Sequence, residues 1–134
     1  MDYRGSTGYG RKEMMLANHE MGKSMQEDKY DALFWANEQG YVDMNNVCIS
    51  GASYGGYVAM RAATKSPELF KCIIAYVGVY DLTSSDLRGL QWSELSQPME
   101  YIEKGDPRDP DDYKNLYENS PLFFAENVED PVLI

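Results

Sequence analysis

The 134-residue chain has a single histidine, His19, only two cysteines, and 12 basic residues against 22 acidic ones. The shortage of lysine and arginine leaves a formal charge of −10, which argues against nucleic acid or an anionic membrane as partner; solubility is the simpler reason for the acidity. No apolar run approaches the ~20 residues that a bilayer span needs, so no membrane-spanning helix is expected. No signal peptide is expected before the first motif. Cys48 and Cys72 lack metal-type spacing and fall in expected buried strands, where a free thiol behaves as a small hydrophobe. This predicts a reducing, cytoplasmic setting. At this length one modest core is the most the chain can bury.

Against these absences stands one dense stretch, Val47-Cys48-Ile49-Ser50-Gly51-Ala52-Ser53-Tyr54-Gly55-Gly56-Tyr57. A short β-prone run meets Gly-x-Ser-x-Gly and passes at once into Val58, Ala59, Met60, Ala62 and Ala63, which favour helix. Strand, sharp turn and helix in that order predict a nucleophile elbow with Ser53 at its tip. Gly51 and Gly55, with Gly56 beside them, are expected to give strand and helix the room to pass closely. Ser53 is then the candidate nucleophile, and the backbone N–H of Tyr54, at the start of the helix, the candidate oxyanion donor.

The remaining chain fits an α/β pattern. Gly5, Gly8 and Gly10 make the start a loop. Ser24-Met25-Gln26-Glu27 reads as a capping box opening a helix that runs to about Gln39, with Met25, Ala32, Leu33 and Ala36 on one face and Gly40 as a left-handed stop. Lys29 falls inside that apolar stripe, in conflict with it. The elbow helix is expected to end near Lys65-Ser66-Pro67. Cys72 to Val77 is apolar on successive residues, which predicts a strand buried on both faces of a parallel sheet and completes a βαβ unit. Short helices are expected within Gln91 to Lys104 and over Asp111 to Glu118, and Pro131-Val132-Leu133-Ile134 reads as the opening of a third buried strand.

Tyr3-Arg4-Gly5-Ser6 with Gly8-Tyr9-Gly10, then Gly51-Ala52-Ser53-Tyr54-Gly55-Gly56-Tyr57, then Ser66-Pro67-Glu68-Leu69-Phe70-Lys71, and finally Ser120-Pro121 leading to Pro131-Val132-Leu133-Ile134 together resemble the prolyl oligopeptidase family of serine peptidases. The likeness is nearest to its acylaminoacyl-peptidase and dipeptidyl-peptidase-like branches. It implies a single partial α/β-hydrolase domain over residues 1–134, a mostly parallel sheet with flanking helices, cut at both ends and without the β-propeller that usually precedes it. It also implies hydrolysis of peptide bonds through an acyl-enzyme on Ser53, a peptide as substrate, and no cofactor. In this family the triad acid and histidine follow the strand that begins at Val132, so the resemblance puts both beyond Ile134 and predicts that the chain alone is nearly inactive.

His19 precedes Ser53, against the order serine, acid, histidine, and is better read as a surface or packing residue. Asp81 follows a strand end, where it is expected to cap a loop. The acidic turn around Asp106, Asp109, Asp111 and Asp112 lacks a calcium-loop pattern and is expected to be solvated, with no metal. Glu13, Lys29 and Arg61 stand where the family pattern is usually apolar or aromatic, and each must find a partner or reach water. Two other readings stay open: a carboxylesterase of the same fold, and a non-catalytic remnant or interaction module that self-associates through open sheet edges. A well-behaved monomer in size-exclusion chromatography counts against self-association.

Overall fold

A computed structural model describes residues 1–84 and 104–134 of the chain. Helix α1 is short, Arg11–Met15, in a segment where the sequence shows no period. Helix α2 spans Ser24–Glu38, strand β1 Cys48–Ala52, helix α3 Tyr54–Lys65 and strand β2 Cys72–Tyr76. Helix α4, Pro110–Glu118, and strand β3, Val132–Leu133, complete the regular elements, with short 3₁₀ turns between them. The expectation for Gln91 to Lys104 falls almost wholly outside the described residues.

The three strands form one parallel sheet in the order β1-β2-β3, with Ile49 opposite Ile73 and Ile73 opposite Val132. Helix α3 covers one face. Its Ala59, Met60 and Ala63 pack with Ile73 and Ala75, and Ile49 and Val132 close that cluster. Burying Ile73 fully contributes about 2 kcal/mol, and small alanines let the helix lie close. The expected burial on both sheet faces is not found. Ile74, Tyr76 and Leu133 point the other way and are 43%, 65% and 65% exposed. An unbroken apolar run records the absence of polar residues but does not say which layer covers them.

Helix α2 departs from its expected design at its N-terminus and in the residues it buries. The N-cap is Lys23, not Ser24, and its side chain makes no capping hydrogen bond; the Glu20 carboxylate accepts the Ser24 N–H at 3.3 Å. A capping residue before the helix does the work that a box within it was expected to do. The buried residues are Gln26 and Tyr30, whereas Met25, Ala32, Leu33 and Ala36 are only half-buried. Gln26 earns its place by donating to the Val58 carbonyl and the Tyr30 hydroxyl, both at 3.2 Å. The stop at Gly40 is as expected: φ is +75°, Tyr41 N–H reaches the Ala36 carbonyl and Gly40 N–H the Asn37 carbonyl. That is a Schellman end, sealed by Trp35 against Tyr41.

The cysteines are a second correction. Cys48 and Cys72 lie directly opposite in the β1-β2 register, with Cα atoms 4.7 Å apart, and form a disulfide. Sequence spacing could place each in a strand but not in register with the other. The argument for a reducing, cytoplasmic setting rested on free thiols and loses that basis.

Helix α4 is fastened to α3 by polar groups. The Tyr57 hydroxyl donates to the Asn119 carbonyl at 2.9 Å, and the Arg61 guanidinium donates to Asn119 Oδ1 at 3.0 Å. Arg61 is 9% exposed and its Nε finds no partner. Its partner is thus an amide, not a carboxylate.

Candidate active site

Ser53 sits between the last residue of β1 and the first of α3, at φ +55° and ψ −119°. A non-glycine residue there is strained by about 1–3 kcal/mol and is held only by its surroundings. Those surroundings are specific. The Ser53 N–H donates to the Tyr76 carbonyl at the end of β2 at 3.0 Å, and the Tyr57 N–H donates to the Ser53 carbonyl at 3.1 Å, opening α3. The Ser53 side chain is left exposed to solvent. Tyr54 is the first helical residue, so its N–H has no acceptor within the helix.

Close packing at this strand-to-helix junction falls on Gly51, as expected, and on Gly56 rather than Gly55. A Cβ on Gly51 would lie 2.4 Å from the Gly55 backbone, and one on Gly56 would lie 2.6 Å from the Tyr76 carbonyl oxygen. A Cβ on Gly55 meets nothing within 4 Å. Gly55 therefore makes room through its backbone's position under Gly51, not through its own missing side chain. Strand β2 stops at Tyr76 rather than Val77 because Val77 turns at φ +46°, which brings Gly78 against Gly56.

Behind this junction lies a stack of aromatic rings. Tyr54 is 5.8 Å from Tyr3 on one side and 5.8 Å from Tyr57 on the other, centroid to centroid. Burial pushes the Tyr54 and Tyr57 phenols well above the usual tyrosine range, and Tyr3 upward as well. The Tyr54 hydroxyl is buried and has no hydrogen-bond partner. The Lys29 ammonium stands 3.5 Å over the Tyr3 ring centroid and 5.3 Å from that of Tyr54, and donates to the Met25 carbonyl at 2.5 Å. Burial lowers Lys29 to about 8. Its conflict with the apolar stripe of α2 was the one sequence signal for this cluster.

Neighbouring Asp28 is held by Arg4 through Nε at 2.8 Å, a terminal guanidinium nitrogen at 2.6 Å and the backbone N–H at 3.0 Å. Those Arg4 hydrogen bonds keep the Asp28 carboxyl below its ordinary value. The pair ties the N-terminal loop to α2 and brings Tyr3 onto Lys29.

The other candidates are engaged elsewhere. His19, at φ +58°, meets Asp112 of α4 through Nδ1 at 3.3 Å. Asp81 accepts from the Thr83 N–H and hydroxyl at 2.9 and 2.6 Å, the loop-capping role expected of it. Asp109 caps α4 by accepting from the Asp111 and Asp112 N–H groups, and Asp106 grips Arg108. Among the described residues no three His, Cys, Asp or Glu side chains gather as a metal site.

Comparison with known proteins gives a consistent picture. The model of the prolyl oligopeptidase family matches residues 1–134. Dipeptidyl aminopeptidase BIII of Pseudoxanthomonas mexicana is 35% identical over the whole chain, which covers 19% of that relative. Dipeptidyl peptidase family member 6 of Caenorhabditis elegans is 32% identical, again over the whole chain and 18% of the relative. The chain thus spans less than one fifth of these curated relatives' length. A puromycin-hydrolysing peptidase of Mycobacterium tuberculosis superposes with a TM-score of 0.82 at 28% identity, over 97% of this chain and 19% of that one. Acylaminoacyl peptidase of Pyrococcus horikoshii gives 0.80 at 27% identity, over 97% and 20%.

Proposed function

The chain belongs to the prolyl oligopeptidase family, and from that membership we propose that Ser53 is the nucleophile of a serine peptidase that opens peptide bonds through an acyl-enzyme. The observation that carries this reading is the Ser53 backbone: φ +55° and ψ −119° at a strand-to-helix junction, with the side chain exposed. A strained conformation held by hydrogen bonds on both sides is what a presented nucleophile requires.

The proposed sequence of events uses groups inside and outside the chain. A histidine beyond Ile134, oriented by an acid also beyond Ile134, takes the proton from Ser53 Oγ as that oxygen bonds to the substrate carbonyl carbon. The Tyr54 N–H receives the oxyanion at the positive end of α3. The C–N bond then breaks, the amine leaves with the proton from the histidine, and water releases the acyl group by the same steps in reverse. His19 is not given this part, since it is bound to Asp112 and precedes Ser53. The chain alone is therefore expected to turn over substrate near background.

Peptide rather than ester substrates are favoured by the relatives, whose names describe dipeptidyl and acylaminoacyl peptidases. The test is to assay the full-length polypeptide side by side on an acyl-peptide and an ester, with Ser53→Ala as control. The substitution is expected to lower kcat by about 10⁴–10⁶-fold on both substrates. Undiminished peptide hydrolysis by Ser53→Ala removes the proposal, and a preference for the ester alone moves it to a carboxylesterase.

A further inference from the structure

We infer that Lys29 is a positioning residue for the elbow: its ammonium, seated on the faces of Tyr3 and Tyr54, fixes the first turn of α3 and so aims the Tyr54 N–H at the oxyanion. This rests on the serine-peptidase reading above. The geometry is direct. Tyr54 follows the nucleophile, and its backbone N–H and its ring are carried by the same residue. The hydroxyl at the far end of the ring has no partner to anchor it. Its setting comes from the Tyr57 and Tyr3 rings and from the cation 5.3 Å away, which also sits 3.5 Å over Tyr3. A cation attracted by the ring faces grows stronger in effect as water is excluded.

Lys29 is an expensive way to hold two rings. A methionine or leucine would fill the same stripe of α2 without burying a charge, and the charge is penalised enough to bring the ammonium down to about 8. Natural chains keep such local conflicts at functional sites. The charged neighbours do not titrate with it. Asp28 on α2 stays ionised through its hydrogen bonds from Arg4 of the N-terminal loop, and burial keeps the Tyr3 and Tyr54 phenols neutral well above that pH. The proton lost near pH 8 in this cluster is therefore that of Lys29.

Activity and stability then move in opposite directions. Between about pH 8 and the ordinary lysine value of 10.5 the unfolded chain binds more protons at this site than the folded one, so the free energy of unfolding rises with pH. A purely structural lysine would leave catalysis unchanged, or improve it, as the fold firms up. A positioning lysine loses its grip on Tyr54 as it becomes neutral, and kcat falls.

The test compares Lys29→Met and Lys29→Arg with the parent in the full-length polypeptide. Lys29→Met is expected to lower kcat roughly tenfold with KM little changed, and to abolish the decline above pH 8. Lys29→Arg keeps a cation on the rings, so it is expected to recover most of the rate and hold it through pH 10. The Tyr54 ring ¹H–¹³C signals, whose protons do not exchange with water, are followed over the same pH range in the parent and both variants. They are expected to shift near pH 8 in the parent alone. If Ser53→Ala proves as active as the parent, the peptidase reading fails, while the ring titration still reports whether Lys29 acts on Tyr54. An unchanged kcat profile in Lys29→Met, or a Tyr54 signal that ignores Lys29, overturns the inference.

Discussion

Replacing Gly51 by alanine is expected to lower the unfolding midpoint by roughly 10 °C, and Gly56→Ala by a similar amount, while Gly55→Ala leaves it unchanged or slightly raised. The three glycines belong to one motif, yet their surroundings differ. At Gly51 the new methyl would press on the Gly55 carbonyl group at 2.4 Å, and at Gly56 on the Tyr76 carbonyl at 2.6 Å. Both obstacles are backbone, and neither yields without parting strand from helix. A cost of about 3 kcal/mol follows for each. The Tyr76 carbonyl is also the acceptor for Ser53 N–H, so Gly56→Ala strikes the bond that holds the Ser53 backbone. Gly55 lies in the first turn of α3 with open space beside it, where alanine gains up to about 1 kcal/mol in helix propensity. Thermal unfolding of the three variants checks the order. Equal loss at all three positions would mean that strand and helix do not approach as described.

Breaking the Cys48–Cys72 bridge is the second large effect. The cysteines are separated by 24 positions, and closing a loop of that length stabilises by about 3.5 kcal/mol on the chain-entropy model. The bridge joins the strand that leads into Ser53 to the strand whose end accepts the Ser53 N–H, so its loss loosens β1 against β2. Urea unfolding of the chain with and without reductant, beside a Cys48→Ala/Cys72→Ala double variant, measures it. Reductant and double substitution are expected to lower stability alike, and reductant to do nothing further to the double variant. A parent chain indifferent to reductant would contradict a formed bridge.

Where these effects fall also explains how much was legible in the sequence. The strand, sharp turn and helix around Ser53 were, because their requirements are local: a β-prone run, Gly-x-Ser-x-Gly and a helix former in succession dictate the turn within a few residues. The end of α2 was legible for the same reason, with Gly40 alone supplying the left-handed residue. What escaped depends on contacts between distant segments. The pairing of Cys48 with Cys72 needs the register of two strands, and the cap on α2 comes from Glu20, outside the helix. Gln26 looks like a surface residue until Val58 and Tyr30 are brought to it. Lys29 was visible as a conflict, but its meaning waited on Tyr3, which the Arg4–Asp28 pair draws in from the far end of the chain. The open face bearing Ile74 and Tyr76 could not be foretold, since apolar patterning reports preference and not coverage.

The central proposal is that Ser53 is a presented nucleophile activated by groups outside this chain. Its most direct test is labelling with a fluorophosphonate probe, the modified residue being located by peptide mapping. In the full-length polypeptide the label is expected on Ser53 and on no residue of Ser53→Ala; in the 134-residue chain alone it is expected near background. Labelling that persists in Ser53→Ala, or that falls on another residue, would contradict the account.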